Sequence, residues 1–499
     1  MKNFFIRYQS YLLISVFFIL YLILAFKLNI WVDECFSLNT AQKPTIKQIV
    51  DTSLIFEAQP PFYFFLLSLW LKINNSIFFA RALSALFIAL SALVIRKILL
   101  VTNNIGSLWF LLIFLLNPFF FWASTESRCY ALVILLNAIL TYYFYLTYVQ
   151  NKNSHRLLFI IISVIAINTQ YFIGIFLVAN AVHLFIFREW KSLKKYIVDM
   201  LFVLLSLAWT IPFIYSEVSS HVGVFSSKQS IMEIIRFLPS RIDNYIFAGY
   251  LFPVKIVRYL IFVFILIYTF TGIKQLSKFH FFNKHNIFFT QAIVSAISFL
   301  VLYPILGDDF VTRRHTTILF IPCLICLILI LQNISIKRRV IVLSVLLASY
   351  AISNINTYIH PVKDFDVKGA AKYIQDHESA NEPVLVFNNQ IGMPIRKYYN
   401  GPNQLIVFPD TIKDTEPFDY AFLNRNITTE DFNKIISKFD EHHNTFWMIY
   451  PDVAANNDNL DRLINLINNN YKTVFSFDIK DTKHLKTYDA ITICKLEQK

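Results

Sequence analysis

Nearly uncharged apolar runs, each close to the length of a bilayer-spanning helix, repeat along this chain at 10–26, 77–95, 105–123, 129–149, 157–187, 196–215, 256–273, 287–306, 315–332 and 340–357. A helix crosses the hydrocarbon core with about 20 apolar residues. No soluble fold can bury so many of them in 499 residues. Charged residues make up 15% and mean hydropathy is +0.52, whereas a soluble protein carries about 25% charged residues. A soluble enzyme, a disordered chain and a disulfide scaffold are therefore excluded. Lys and Arg exceed Asp and Glu by 13, which in a membrane protein points to basic cytoplasmic loops before nucleic acid. Five cysteines show no metal spacing; Cys323 and Cys326 lie in an apolar run and read as buried thiols.

Charge sets the expected topology. The first run is followed by Asn29-Ile30-Trp31-Val32-Asp33-Glu34, without a small-residue cleavage site, so an uncleaved helix is expected. With the N-terminus cytoplasmic, the short stretch 60–71 interfacial and 157–187 broken at Asn168-Thr169-Gln170, the basic clusters fall on one side. These are Lys2/Arg7, Arg96/Lys97, Lys152/Arg156, Arg188/Lys191/Lys194/Lys195, Lys274/Lys278/Lys284 and Lys337/Arg338/Arg339. The pattern obeys the positive-inside rule with about 11 spans and puts the C-terminus outside. Were 60–71 to cross, two basic clusters would move outside.

Composition changes near 358, so the expected domains are a transmembrane one over 1–358 and an extracytoplasmic one over 359–499. In the second, Val384–Phe387, Leu405–Phe408, Phe446–Tyr450 and Val474–Phe477 read as strands, and 366–377, 429–439 and 458–469 as amphipathic helices. This is a small α/β domain. No glycine-rich loop opens its helices, so nucleotide binding is unsupported.

The topology sends the intramembrane and loop charges to one side. Asp33, Glu34 and Glu57 lie in the first outside loop, Glu126 and Arg128 in the turn before 129–149, Asp308, Asp309, Arg313 and Arg314 before 315–332, and Arg81 near a helix end. Each has an ordinary reading: a solvated helix end, a mutual ion pair, or arginine reaching lipid headgroups. Together, carboxylates and arginines on one membrane face fit a phosphorylated substrate with acid–base or metal chemistry.

Four segments in order carry a family resemblance. They are Trp31-Val32-Asp33-Glu34-Cys35-Phe36-Ser37-Leu38; Glu57-Ala58-Gln59-Pro60-Pro61-Phe62-Tyr63; Arg81-Ala82-Leu83-Ser84-Ala85-Leu86-Phe87; and Ser124-Thr125-Glu126-Ser127-Arg128-Cys129-Tyr130-Ala131-Leu132. The chain resembles the GT-C glycosyltransferases, in particular the family 39 protein mannosyltransferase and aminoarabinose transferase group. Weaker echoes are Thr169-Gln170-Tyr171-Phe172, Arg313-Arg314-His315 ahead of Pro322, and the stretch from Asp364 to Tyr399. Gln59 and Gln170 stand where the family often has His, which puts metal dependence in question, and His315 stands where Tyr is common.

The resemblance implies a polytopic α-helical GT-C fold with an interfacial helix and an extracytoplasmic α/β domain. It implies transfer of a sugar from a polyprenyl-phosphate donor to an extracytoplasmic acceptor hydroxyl, on a glycan, lipid or protein, in the inner or plasma membrane. By motif match, Asp33 is the candidate base, and Glu34 orients it or the acceptor. Glu57 holds the acceptor or a divalent ion. Arg81, Arg128, Arg313 and Arg314 bind phosphate, with Glu126, Tyr130 and Tyr63 in support. Inversion at the anomeric carbon is expected. A divalent metal is the one cofactor left open. The competing readings are a transporter or flippase of lipid-linked glycans, against which stand the 9 glycines and the absence of a repeat, and a non-catalytic glycan binder.

Overall fold

The computed structural model describes residues 2–103, 108–215, 231–246, 252–272, 283–310, 314–408, 428–436, 445–452, 458–479 and 490–499. The chain divides into two compact units. One comprises Met1–Phe26, Pro44–Leu54 and Ala58–Asn356; the other comprises Lys27–Lys43, Ile55–Glu57 and Thr357–Lys499. The second unit thus takes two short segments from far upstream of the 359–499 domain expected from composition.

In chain order the helices of the first part are α1 (Lys2–Lys27), α2 (Val32–Ala41), α3 (Ile46–Ile55), α4 (Phe62–Leu71), α5 (Ile77–Asn103), α6 (Leu108–Leu115), α7 (Pro118–Ser124), α8 (Tyr130–Phe144), α9 (Arg156–Ile167), α10 (Ile173–Ile186) and α11 (Trp190–Leu205). There follow α12 (Ile231–Ile246), α13 (Lys255–Phe270), α14 (Ile287–Phe310), α15 (Phe320–Gln332) and α16 (Ile336–Ile359). Among the described residues six helices are long and apolar enough to cross a membrane. A seventh span arises if α11 and Ala208–Tyr215, bent by 45°, count as one.

Of the other apolar runs, 105–123 and 157–187 are interrupted, and 256–273 forms the 16-residue α13. Asn117-Pro118 splits 105–123 into α6 and α7: Pro118 opens α7 while Asn117 caps it through the Phe119 N–H. Residues 168–172 separate α9 from α10. With ten residues, α4 is too short to cross. Helix α12 lies between the apolar runs 196–215 and 256–273.

Side-chain periodicity explains the first unit. On α1 the exposed Leu12, Val16, Ile19 and Ile23 recur every three or four residues, and Ile14, Phe17, Tyr21 and Leu24 line the buried side. An apolar exposed stripe opposite an apolar buried one is the signature of a helix facing lipid. Where the helices break, buried amides and hydroxyls satisfy the released carbonyls. Asn117 Nδ2 donates to Tyr245 O, Asn354 Nδ2 to Leu116 O, Asn137 Nδ2 to Ile318 O and Tyr21 Oη to Leu115 O. In hydrocarbon no water could take those acceptors.

The second unit continues with α17 (Val367–His377), β1 (Val384–Phe387), α18 (Asn389–Ile395), β2 (Leu405–Phe408), α19 (Thr429–Ile436), β3 (Thr445–Asp452), α20 (Asp458–Asn470), β4 (Tyr471–Ile479) and β5 (Ala490–Gln498). The sheet order is β2-β1-β3-β5-β4. β1 runs parallel to β2 and β3, while β5 is antiparallel to β3 and β4. Alternation in β3 sends Phe446 and Met448 to the core under α19 and α20, and Trp447 and Ile449 to the core under α17 and α18. The order 2-1-3 creates a switch point at the carboxyl end of β1, the usual crevice of such sheets. There Asn388 takes φ 66° and ψ 151°, a strained conformation for a residue with a side chain, and caps α18 through Gln390 N–H.

Candidate active site

Within the second unit, Trp31 is extended and the first turn of α2 carries Asp33 and Glu34. Carboxylates there are favoured by the positive end of the helix dipole. Asp33 is half-buried and Glu34 wholly buried. A buried carboxylate needs a partner, and Lys363 Nζ stands 3.1 Å from Glu34 Oε1. Thr40 Oγ1 donates to Glu57 Oε1 at 3.2 Å, and Phe36 packs edge-on to Phe56 at 5.1 Å. Glu57 is thus tied to the far end of α2, since Thr40 lies seven residues, or about 10 Å of axis, beyond Asp33.

The segment before α2 is pinned to the α/β domain. Asn29 Nδ2 donates to Lys363 O (3.1 Å) and Phe365 O (2.6 Å), and its Oδ1 accepts from Lys363 N–H (2.5 Å). Ile30 N–H donates to Tyr398 Oη at 2.7 Å. Helix α18, which starts at the switch point, packs on α2. Thus the crevice end of the sheet, which in other α/β domains receives a ligand, here supports the helix bearing the acidic pair.

Within the first unit a second set gathers at one end of the helices. Arg81, 1% exposed, donates from Nη1 to Ala25 O at the negative end of α1 (3.0 Å). One turn along α5, Ser84 Oγ donates to Glu126 O at 2.5 Å. Glu126 and Arg128 are both buried in the turn between α7 and α8, and Tyr130 stacks on Trp122 at 5.2 Å and interacts with Arg128. Gln59 accepts a hydrogen bond from Cys129 Sγ at 3.4 Å, and Phe62 N–H donates to Asn168 O at 3.2 Å. Phe172 stacks on His315 at 5.2 Å, beside Arg314, whose carbonyl accepts from Thr317 Oγ1. Tyr63 is fully buried.

One face of the first unit therefore holds Arg81, Glu126, Arg128, Tyr130, Tyr63 and Arg314, along with the two broken helix ends. Gln170 is 5% exposed, and among the described residues its Oε1 has no hydrogen-bond partner. Arg313 lies outside the described residues, as do the side chains of Asp308 and Asp309. The opposite face carries a different set. Arg156 and Asp199 form a bidentate pair joined by Tyr148, Lys284 meets Glu189 at 3.2 Å, and Arg339 donates to the Leu331 and Gln332 carbonyls at the end of α15.

Among the described residues no three His, Cys, Asp or Glu side chains group so as to hold a metal ion. Sequence reasoning missed Lys363, Asn29, Thr40 and Ser84. Lys363 borders the stretch from Asp364 to Tyr399, but its pairing with the acidic segment spans more than 300 residues and has no spacing signal.

Residues 58–215 match the family described as dolichyl-phosphate-mannose-protein mannosyltransferase. No curated protein matches the chain in sequence. In fold, the chain is similar to the crystal structure of ArnT from Cupriavidus metallidurans bound to undecaprenyl phosphate, with TM-score 0.55, 12% identity and 97% of each chain covered. Residues 58–215, from before α4 to past α11, are thus similar to that mannosyltransferase family, and the fold is similar to that of ArnT over 97% of the chain.

Proposed function

We propose that this protein moves a sugar from a polyprenyl-phosphate donor to an acceptor hydroxyl on the extracytoplasmic face of a cell membrane, with inversion at the anomeric carbon. The observation that carries this reading is the acidic pair in the first turn of α2, held by the α/β domain in a chain of GT-C fold. The lipid bound by ArnT supports the donor class. The basic opposite face of the first unit supports a cytoplasmic N-terminus.

In the reaction the acceptor hydroxyl gives its proton to the Asp33 carboxylate as its oxygen attacks the anomeric carbon. The bond from that carbon to the phosphate oxygen breaks, and the polyprenyl phosphate leaves with the electron pair. Glu34 fixes the orientation of Asp33, and Glu57 engages the acceptor. Arg128, Arg81, Arg313 and Arg314 offset the phosphate charge that grows as the bond opens, with Tyr130, Tyr63 and Glu126 ordering them.

The test is transfer from a labelled polyprenyl-phosphate sugar by wild type and Asp33→Asn in membranes. Loss of the base is expected to lower the rate by about 10²–10⁴-fold with insertion unchanged. Undiminished transfer by Asp33→Asn would remove Asp33 from the mechanism. Lipid movement without product would favour a flippase.

A further inference from the structure

The α/β unit contributes a charged group to the acidic pair as well as a support. Glu34 is wholly buried, and Lys363, its side chain 9% exposed, reaches it at 3.1 Å. The backbone of Lys363 is gripped by Asn29, five residues before Glu34: Asn29 Oδ1 accepts the Lys363 N–H, Asn29 Nδ2 donates to the Lys363 carbonyl, and Asn29 N–H approaches Pro361 O at 3.4 Å. Asp364, the next residue, has φ 56°, a left-handed turn that Asp tolerates, and accepts from Gln390 Nε2 of α18, the helix packed on α2. The loop carrying Lys363 is thus fixed at three points to the segment it serves. This is more ordering than a surface ion pair has.

A buried carboxylate with a fixed ammonium beside it stays ionised in one rotamer; without the ammonium it takes up a proton or swings away. Glu34 adjoins Asp33 in one helical turn, so either change moves Asp33. We propose that Lys363 is a positioning residue for transfer: its ammonium holds Glu34 charged and oriented, and through Glu34 sets the placement of Asp33. This rests on the reading of Asp33 as the base.

The experiment compares Lys363→Met, Lys363→Arg, Glu34→Gln, the Lys363→Met/Glu34→Gln double variant and Asp33→Asn, all as full-length protein in membranes, with kcat and the KM for the lipid donor measured per folded molecule. Lys363→Met is expected to lower kcat by about tenfold or more while donor KM moves less than about threefold. Lys363→Arg is expected to restore most of kcat. The double variant should lose little beyond Glu34→Gln alone, because both changes remove one interaction. A role in stability alone would reduce the amount of folded protein, leave kcat per molecule intact and let the two losses multiply.

Wild-type kcat in Lys363→Met, or multiplying losses, overturns the inference. Should Lys363→Met fail to insert, Lys363→Gln takes its place with the same two outcomes. If Asp33→Asn transfers normally, the reading of the acidic pair fails. If Asp33→Asn is inactive while Lys363→Met is fully active, only the role of Lys363 falls.

Discussion

Replacing Asp199 by leucine removes the centre of a buried cluster at the end of the first unit opposite the Glu126–Arg128 turn. Asp199 is fully buried and accepts from Arg156 Nε at 2.9 and 2.8 Å, from Arg156 Nη2 at 2.5 Å and from Tyr148 Oη at 2.5 Å. The cluster joins α9, α11 and the end of the α8 segment. Removing one member of a buried pair costs about 3–5 kcal/mol. The Arg156 side chain is 37% exposed and can turn to water or headgroups, which argues for the lower end, about 3 kcal/mol. That is roughly 150-fold in the folding equilibrium, at about 1.4 kcal/mol per decade.

Denaturant unfolding in detergent should show this loss in Asp199→Leu. The Arg156→Met/Asp199→Leu double variant should recover more than half of it, because no charge is left stranded. Transfer per folded molecule should stay at the wild-type level in both. An Asp199→Leu variant within about 0.5 kcal/mol of wild type, the range of an ordinary surface change, would refute the reasoning, as would a double variant no better than the single.

Two further outcomes are expected. Arg128→Lys keeps the charge but loses the planar fork that matches phosphate oxygens, so donor KM should rise by about tenfold in initial-rate kinetics; an unchanged KM would place the phosphate elsewhere. Burial pushes the Glu382 carboxyl up, but hydrogen bonds from the Lys495 ammonium, the Ser379 N–H and the Trp447 indole outweigh it and hold the group below the ordinary range. Its stabilisation is therefore complete above the unfolded glutamate value of about 4.3 and is lost as pH falls through the lower folded value. Thermal melts should show wild type losing stability as pH drops below about 4, and Glu382→Gln showing a flatter curve there.

The long apolar runs were legible because hydrocarbon-facing stripes need them, and the break at Asn168-Thr169-Gln170 carries a polar signal; the break at Asn117-Pro118 was missed in a run read as continuous, although its proline marks it. Strands β1 to β4 showed as short apolar runs. β5 was missed although Ala490-Ile491-Thr492-Ile493-Cys494-Lys495-Leu496 is a run rich in apolar and β-branched residues. The Asp33-Glu34 and Glu126–Arg128 motifs announced themselves locally, since helix ends and turns are set by neighbours in sequence. The attachment of the 27–43 segment to the α/β domain left no such trace. It depends on one buried asparagine and one lysine whose composition is unremarkable.

That attachment has a consequence for how the protein is made. Asn29 leaves the ribosome 334 residues before Lys363, to which it bonds, and at about 5–20 residues per second the interval is roughly 20–70 s. Throughout it the acidic helix has no cradle. A chain that stalls before residue 363 would therefore present the acidic pair of α2 without the lysine and the loop that hold it.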